Sequence, residues 1–269
     1  MGFSYFSNKE SMIDKALIHT QEMKHKYPKE IAWSVVNSTI YRDPLNIEVA
    51  FDAAAPIAEI WDMDSVTAAF EAKKIYHEVP EKICILNFAS YKEPGGRFLD
   101  GSSAQEESLC HSSFLYNVLE PFDKTYYTKN RTMVKSTCHL YTNAAIYSPK
   151  VRFFHNGETD FFDVLTIAAP NFNAANRLFR VSPEKNKEAL ASRIHFLSKI
   201  LTDQRVNCVI LGAFGCGVFG QPAHMVAQLF KEEFASCFPD YTIYAVPRDL
   251  GIASTTNHMV FVNRIMKGE

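Results

Sequence analysis

The sequence predicts a layered α/β domain, with helices on both faces of a mixed sheet. Three observations predict it. Short, continuously apolar runs rich in Val, Ile and Phe mark strands covered on both faces. Segments of helical periodicity lie between them, and alternation of strand with helix is the signature of a layered sheet. No repeat, low-complexity tract or Pro/Gly/Ser linker divides the 269 residues. The expected architecture is therefore a three-layer α/β/α sandwich, with residues 1–40 as an N-terminal helical extension and residues 41–269 as a single compact domain.

In chain order, residues 8–27 read as a polar helix that ends before Pro28. Strands are expected at Ile47–Phe51, Ile83–Phe88, Ala144–Ile146, Val151–Phe154, Val164–Ala169, Cys208–Gly212 and Tyr241–Val246. Helices are expected at Ser65–Ile75, Ala104–Leu119, Pro183–Thr202 and Pro222–Ala235. In open α/β sheets, ligands bind outside the carboxyl ends of the strands. That rule selects two loops, one after Ile83–Phe88 and one after Cys208–Gly212.

Composition narrows the function classes. With 47% hydrophobic and 22% charged residues, the chain is an ordinary globular sequence able to bury a full core. A formal net charge of −2 gives no electrostatic reason to expect nucleic acid as a partner. No apolar run is long enough for a membrane span, and the N-terminus lacks a signal-peptide core. Six scattered cysteines without a C-x-x-C pair argue against disulfides and a cysteine-based zinc site, and for a reducing cytoplasm. There is no G-x-S-x-G elbow, no P-loop and no H-E-x-x-H. Neither His155 nor His195 belongs to a spaced cluster, so both read as surface or core residues.

The first selected loop contains PGGRFLDGSSAQEESL, residues 94–109. Ser103 and Glu106 have capping-box spacing, which gives Glu106 a structural task at the start of the helix. Glu107 lies about 100° further round, so one cap cannot use both carboxylates. The second loop, LGAFGCGVFGQP, holds Gly212, Gly215, Gly217 and Gly220 ahead of Pro222 at a helix start. Gly215, Gly217 and Gly220 match the G-x-G-x-x-G dinucleotide fingerprint, but too little chain follows to build the remaining strand–helix units of a Rossmann half. Tight turns explain such glycines, and so does a phosphate cradle of backbone amides.

Together the two loops resemble a known family. LNFASYKEPGGRFLDGSSAQEESLCHSS (86–113), VLTIAAPN (164–171) and LGAFGCGVFGQP (211–222) are similar, in the same order, to the catalytic segments of the microbial-type poly(ADP-ribose) glycohydrolases. The resemblance spans roughly residues 80–250 and implies a macrodomain-like fold. It implies that Glu107 is the catalytic acid, with Gln105 and Glu106 holding the loop and a ribose hydroxyl. It implies further that Asn87, Gly95 and Gly96 approach the distal ribose and its phosphate. The loop Gly212–Val218, including Gly215, Cys216, Gly217 and Val218, would hold the diphosphate, and Phe219 would pack on the distal ribose. Arg97 stands where the family usually has a third glycine, and there it could pair with phosphate or narrow the cleft to one ADP-ribose.

The expectation is a monomeric hydrolase acting on ADP-ribose and ADP-ribosylated proteins, with no metal, cofactor, membrane or nucleic-acid partner. Cleavage at C1″ passes through an oxocarbenium-like transition state, so a carboxyl that gives a proton to the leaving group and then activates water accounts for Glu107. A helix cap accounts only for Glu106. Mono-ADP-ribose is the expected substrate, with a polymer hydrolase or a non-catalytic ADP-ribose-binding module as alternatives.

Overall fold

A computed structural model describes residues 2–48, 57–76, 82–235, 239–248 and 252–267. In chain order these form α1 (Gly2–Lys26), α2 (Pro28–Asn37), β1 (Thr39–Arg42), β2 (Ile57–Trp61), α3 (Ser65–Ile75), β3 (Ile83–Phe88), α4 (Gln105–His111), α5 (Leu115–Leu119) and α6 (Thr128–Met133). They continue with β4 (Ala144–His155), β5 (Glu158–Ile167), α7 (Phe172–Phe179), α8 (Pro183–Asp203), β6 (Cys208–Leu211), α9 (Ala223–Glu233), β7 (Tyr241–Ala245) and α10 (Ile252–Phe261). The strands make one seven-stranded mixed sheet in the order β1-β4-β5-β3-β6-β7-β2. β1, β4 and β5 pair antiparallel, and every junction from β5 to β2 is parallel. No described helix is long and apolar enough to cross a membrane.

The side-chain period of two divides the core. Ile83 and Ile85 of β3 face a layer built with α1, α3, α4 and α5, whereas Cys84 and Leu86 face the layer of α8, α9 and α10. Central strands such as ICILNF are buried on both faces, which is why they read as unbroken apolar runs.

Several elements depart from the expectation. β1 and β2 were not anticipated: they are short strands at the two edges, and half-exposed TIYR and IAEIW carry no buried run to betray them. Of the strand expected at Ile47–Phe51, Ile47 and Glu48 lie in no strand, and the remaining positions fall outside the described residues. The two strands expected at Ala144–Ile146 and Val151–Phe154 are one strand, with a register shift between Ser148 and Val151. Pro149 lacks an N–H for the ladder there, and Lys150 adopts φ +53°. The helix expected over Ala104–Leu119 is broken at Ser112–Phe114. Ser113 turns the chain by accepting at its hydroxyl from the Leu115 amide and donating to Leu109 O, while Phe114 is wholly buried.

The first forty residues share the main core. Ala16 and Met23 of α1 are buried in it, His19 Nε2 donates to Ser113 O at 2.7 Å, and Asn117 Nδ2 donates to Thr20 O. α2 is tied to β4 through Ser34 to Pro149 O and the two-pronged Arg152–Glu30 pair at 2.7 and 3.0 Å.

One buried cation anchors the sheet edge near β5. Arg193 of α8, fully buried, donates through Nε to Asn143 Oδ1 at 2.7 Å, through Nη2 to Leu140 O, and through Nη1 to Ala168 O. Burial pushes its pKa down to about 10. Replacing Arg193 with Leu strands these carbonyls without donors, so the variant should unfold with a stability loss of about 3 kcal/mol. Urea denaturation measures this, and a loss below about 1 kcal/mol would mean that the carbonyls find other donors.

Candidate active site

β5, β3, β6 and β7 run parallel, so their carboxyl ends share one edge of the sheet. The loops leaving that edge enclose a cleft of about 1160 Å³. The Glu106–Glu107 segment, the start of α3, the glycine loop after β6 and the turn at Val246–Pro247 all line it. Both loops selected from the sequence are therefore brought together over adjacent strands.

The carboxylate pair is not held as a helix cap. The N-cap position is Ala104, and no side chain caps α4, which corrects the capping box expected from Ser103 and Glu106. Glu106 instead reaches back to the end of β3, accepting from the Ser90 amide at 2.6 Å and from Asn87 Nδ2 at 3.2 Å. Glu107 Oε1 accepts the Arg97 amide at 2.8 Å. Gln105 completes the attachment: its Oε1 accepts from the Phe88 amide, and its Nε2 donates to Leu86 O and Ser65 Oγ. All three side chains of Gln-Glu-Glu thus tie the helix start to β3 and its loop.

Glycine is required where the loop passes the pair. Gly96 has φ +62°, and a Cβ there would lie 2.8 Å from both Glu106 Oε2 and Glu107 Oε1. A Cβ at Gly95, also at positive φ, would meet Tyr116 at 2.8 Å. Arg97 is under no such constraint. Its φ is −107°, its side chain is 69% exposed, and its Nε pairs with Asp100 at 3.1 Å.

Both glutamates are buried. Burial raises the Glu106 pKa to about 8; the Ser90 and Asn87 donors oppose the rise and the Glu107 charge adds to it. Glu106 is thus a carboxyl that keeps its proton through neutral pH. Asn87 Oδ1, buried and without a partner among the described residues, stands on the same side chain that meets Glu106. Rotating that amide would offer the Glu106 proton an acceptor.

The second loop divides its glycines between fold and cleft. Gly212 allows a close pass, since a Cβ there would lie 2.7 Å from Ala245 O. Gly215 and Gly220 have positive φ and press on Ala169 and Asn173. Gly217 has neither constraint and is exposed at the cleft. Buried Gln221 fixes the loop by donating to Pro170 O and exchanging bonds with Asn186. Among the described residues, the amides of Gly215, Gly217, Val218 and Phe219 donate to no protein group. A row of unclaimed N–H groups on a glycine loop has the geometry that suits an anion. Burial pushes the Cys216 thiol up to about 12, so it is a neutral wall residue and not a nucleophile.

Of the residues singled out in the sequence, Gly96, Arg97, Gln105, Glu106, Glu107, Gly215, Cys216, Gly217, Val218 and Phe219 line the cleft. Asn87, Gly95 and Gly212 stand behind its wall. The sequence reading missed Asp64–Val66, Tyr91, Lys92, His139, Tyr141, Arg177 and Asn257, which also line it. Tyr91 stacks on Tyr141 with centroids 4.2 Å apart, and Tyr141 meets Phe219 edge-on at 6.1 Å. Nothing local marks these residues, because only the tertiary fold gathers them. Among the described residues no group of His, Cys, Asp and Glu could hold a metal ion.

Comparison with known proteins agrees with this geometry. The model of the microbial-type PARG catalytic domain matches residues 7–156, which include the carboxylate pair. A poly(ADP-ribose) glycohydrolase from Thermomonospora curvata superposes with a TM-score of 0.80 at 27% identity, over 95% of this chain and all of that one. The Thermomonospora curvata enzyme bound to the inhibitor ADP-HPD gives a TM-score of 0.76 at 25% identity, over 95% of this chain and all of that one. The Deinococcus radiodurans enzyme in complex with ADP-ribose also gives 0.76 at 25% identity, over 88% of this chain and 97% of that one. No curated protein sequence matches the chain. The three-layer fold and the catalytic-domain match agree, and the chain belongs to the microbial-type poly(ADP-ribose) glycohydrolase family, whose catalytic domain is a glycosidase-type hydrolase.

Proposed function

We propose that the protein releases single ADP-ribose units from modified protein side chains by hydrolysis at C1″. The observation that carries this reading is the buried Glu106–Glu107 pair, fixed beside the amides of a glycine loop in one cleft. A non-catalytic binding module has no use for a positioned acid next to its ligand. In the proposed reaction, Gly215–Phe219 amides hold the diphosphate and Phe219 packs on the distal ribose. Glu107 passes a proton to the leaving oxygen as the C1″–O bond breaks, the neutral Glu106 carboxyl beside it being the proton's source, and one is then taken back from the water that adds to C1″. Glu106 positions the loop through Ser90 and binds a ribose hydroxyl.

Polymer is the second reading. It is favoured by the names of the relatives, and by the Arg97 guanidinium pairing with Asp100.

Glu107→Gln should keep ADP-ribose binding and lose hydrolysis by about a hundredfold or more, the effect of removing a general acid. Unchanged turnover in that variant, measured on mono-ADP-ribosylated protein, would remove the reaction from this site. Glu106→Gln should cost less activity and should also change the pH dependence of stability. The fold raises this pKa from 4.5 to about 8, so between those values the folded state binds more proton than the unfolded chain, and wild-type stability falls as pH rises. Urea titrations at pH 5 and 8 should show Glu106→Gln gaining on wild type at the higher pH.

Phe219→Ala should lower turnover more than affinity, because the ring positions the reacting carbon without anchoring the nucleotide. If the ring were only core packing, melting temperature would fall by the equivalent of about 3 kcal/mol with normal activity per folded molecule.

Arg97→Gly tests chain length. With Arg97 as the selectivity element, the glycine variant should gain activity on polymer and keep its activity on mono-ADP-ribosylated protein. Efficient degradation of polymer by wild type, or no gain in the variant, would make this a polymer hydrolase.

A further inference from the structure

The cleft carries a third charged feature that neither the carboxylates nor the phosphate loop uses. At its β5 end, Lys92 of the first loop, His139 ahead of β4 and Arg177 of α7 all line it. Specific contacts hold these separate segments together. Tyr91, next to Lys92, stacks on Tyr141 at 4.2 Å. His139 lies 5.7 Å from the ring of Phe179, and its carbonyl accepts the amide of Asn171 at the head of α7. The connecting backbone at Cys138, His139 and Tyr141 is held at φ +49°, +62° and +64°, a conformation non-glycine residues seldom adopt.

Among the described residues, neither Lys92 nor Arg177 has an anionic partner. The adjacent Glu93 is engaged by Arg131 at 3.5 Å, and Arg131 pairs with Asp123 as well. Burial and then the charges of Lys92 and Arg177 push the His139 pKa down, so the three centres share one positive field. Arg193 contrasts with them, since its buried guanidinium is consumed by carbonyls of the fold. Among the described residues neither side chain is engaged by an acid, so both charges are open to an anion that enters the cleft.

The ligand's own diphosphate already has the amides after β6. α7 follows β5, on the opposite side of β3 from β6. We infer that this end of the cleft is a subsite for an acidic peptide segment flanking the modified side chain, with Lys92 and Arg177 receiving its carboxylates. The assignment rests on the reading above that the leaving group belongs to a protein. Two exposed, flexible cations on different elements suit carboxylates whose spacing varies between targets, and exposed Leu178 beside Arg177 offers apolar surface to the peptide chain.

The test measures affinity with Glu107→Gln protein, and with wild type on peptides bearing a non-hydrolysable ADP-ribose linkage. The ligands are one ADP-ribosylated peptide with acidic flanks, the same peptide with neutral flanks, free ADP-ribose and polymer. The acidic peptide should bind on the order of tenfold more tightly than the neutral one, the sum of two solvent-screened charge contacts. Lys92→Ala with Arg177→Ala should erase that preference, as should about 0.5 M salt. Lys92→Glu with Arg177→Glu should invert it, and affinity for free ADP-ribose should stay unchanged in every variant. Equal affinity for the two peptides, or a preference that survives the double substitution, overturns the inference. So does an equal loss for free ADP-ribose, which would give the cations to the nucleotide itself, or a dependence confined to polymer, which would give them to phosphate. Because binding is read without turnover, failure of wild type to cleave any peptide defeats the hydrolase reading alone.

Discussion

Two carboxylates buried side by side must be given hydrogen-bond donors, and the active edge of this protein is arranged around that requirement. A carboxylate taken out of water costs several kcal/mol unless it is neutralised or bonded. Here Ser90 and Arg97 supply backbone amides and Asn87 a side-chain amide, all from the end of β3 and the loop behind it. A loop whose amides turn inward toward two acids has no room for a side chain at the point of closest approach, and Gly96 stands at that point. The departure from helix-cap geometry has the same origin. Glu106 forgoes the reciprocal bond with Ser103 because β3 offers buried donors where Ser103 offers exposed ones.

The second loop solves the opposite problem. Around the carboxylates the amides of Ser90 and Arg97 are committed to the acids, whereas from Gly215 to Phe219 four amides are left uncommitted among the described residues by a loop that Gln221, Asn186 and Asn173 hold in place. Acid and anion site therefore come from adjacent parallel strands by contrary means. One strand end spends donors on the protein's own acids, and the other leaves them facing the cleft. Such preorganisation is what allows a cleft to bind charge without reorganising when the charge arrives. The stack of Tyr91 on Tyr141, with Phe219 against its edge, closes the β5 side and joins both loops to the segment carrying His139.

Much of this was legible in the residues. Buried strands announced themselves as apolar runs, α3 as a helical pattern over Ser65–Ile75, and the two loops as glycine clusters after strands. The Gln-Glu-Glu segment carries the resemblance to the family in its own residues. Less legible were elements whose stability comes from partners distant in sequence. β1 and β2 exist because β4 and β7 offer them edges, and their own side chains are half exposed. The break at Ser112–Phe114 arises because β4 and α1 seize the intervening groups: Phe154 donates its amide to Ser112 O, and His19 bonds Ser113 O.

The sequence by itself determined the layered sheet, the loops that carry the chemistry and the acids within them, because strand burial, glycine freedom and paired carboxylates are properties of local residue type. Only the tertiary structure decided which donors hold each acid, how burial raises the Glu106 pKa, and which cations, unpaired among the described residues, share the cleft. Those properties depend on desolvation and on the placing of Asn87 with Glu106, Gly96 with Glu107, or Lys92 with Arg177, groups 11 to 85 positions apart in the chain that share one cleft wall only when the sheet brings its strand ends to one edge.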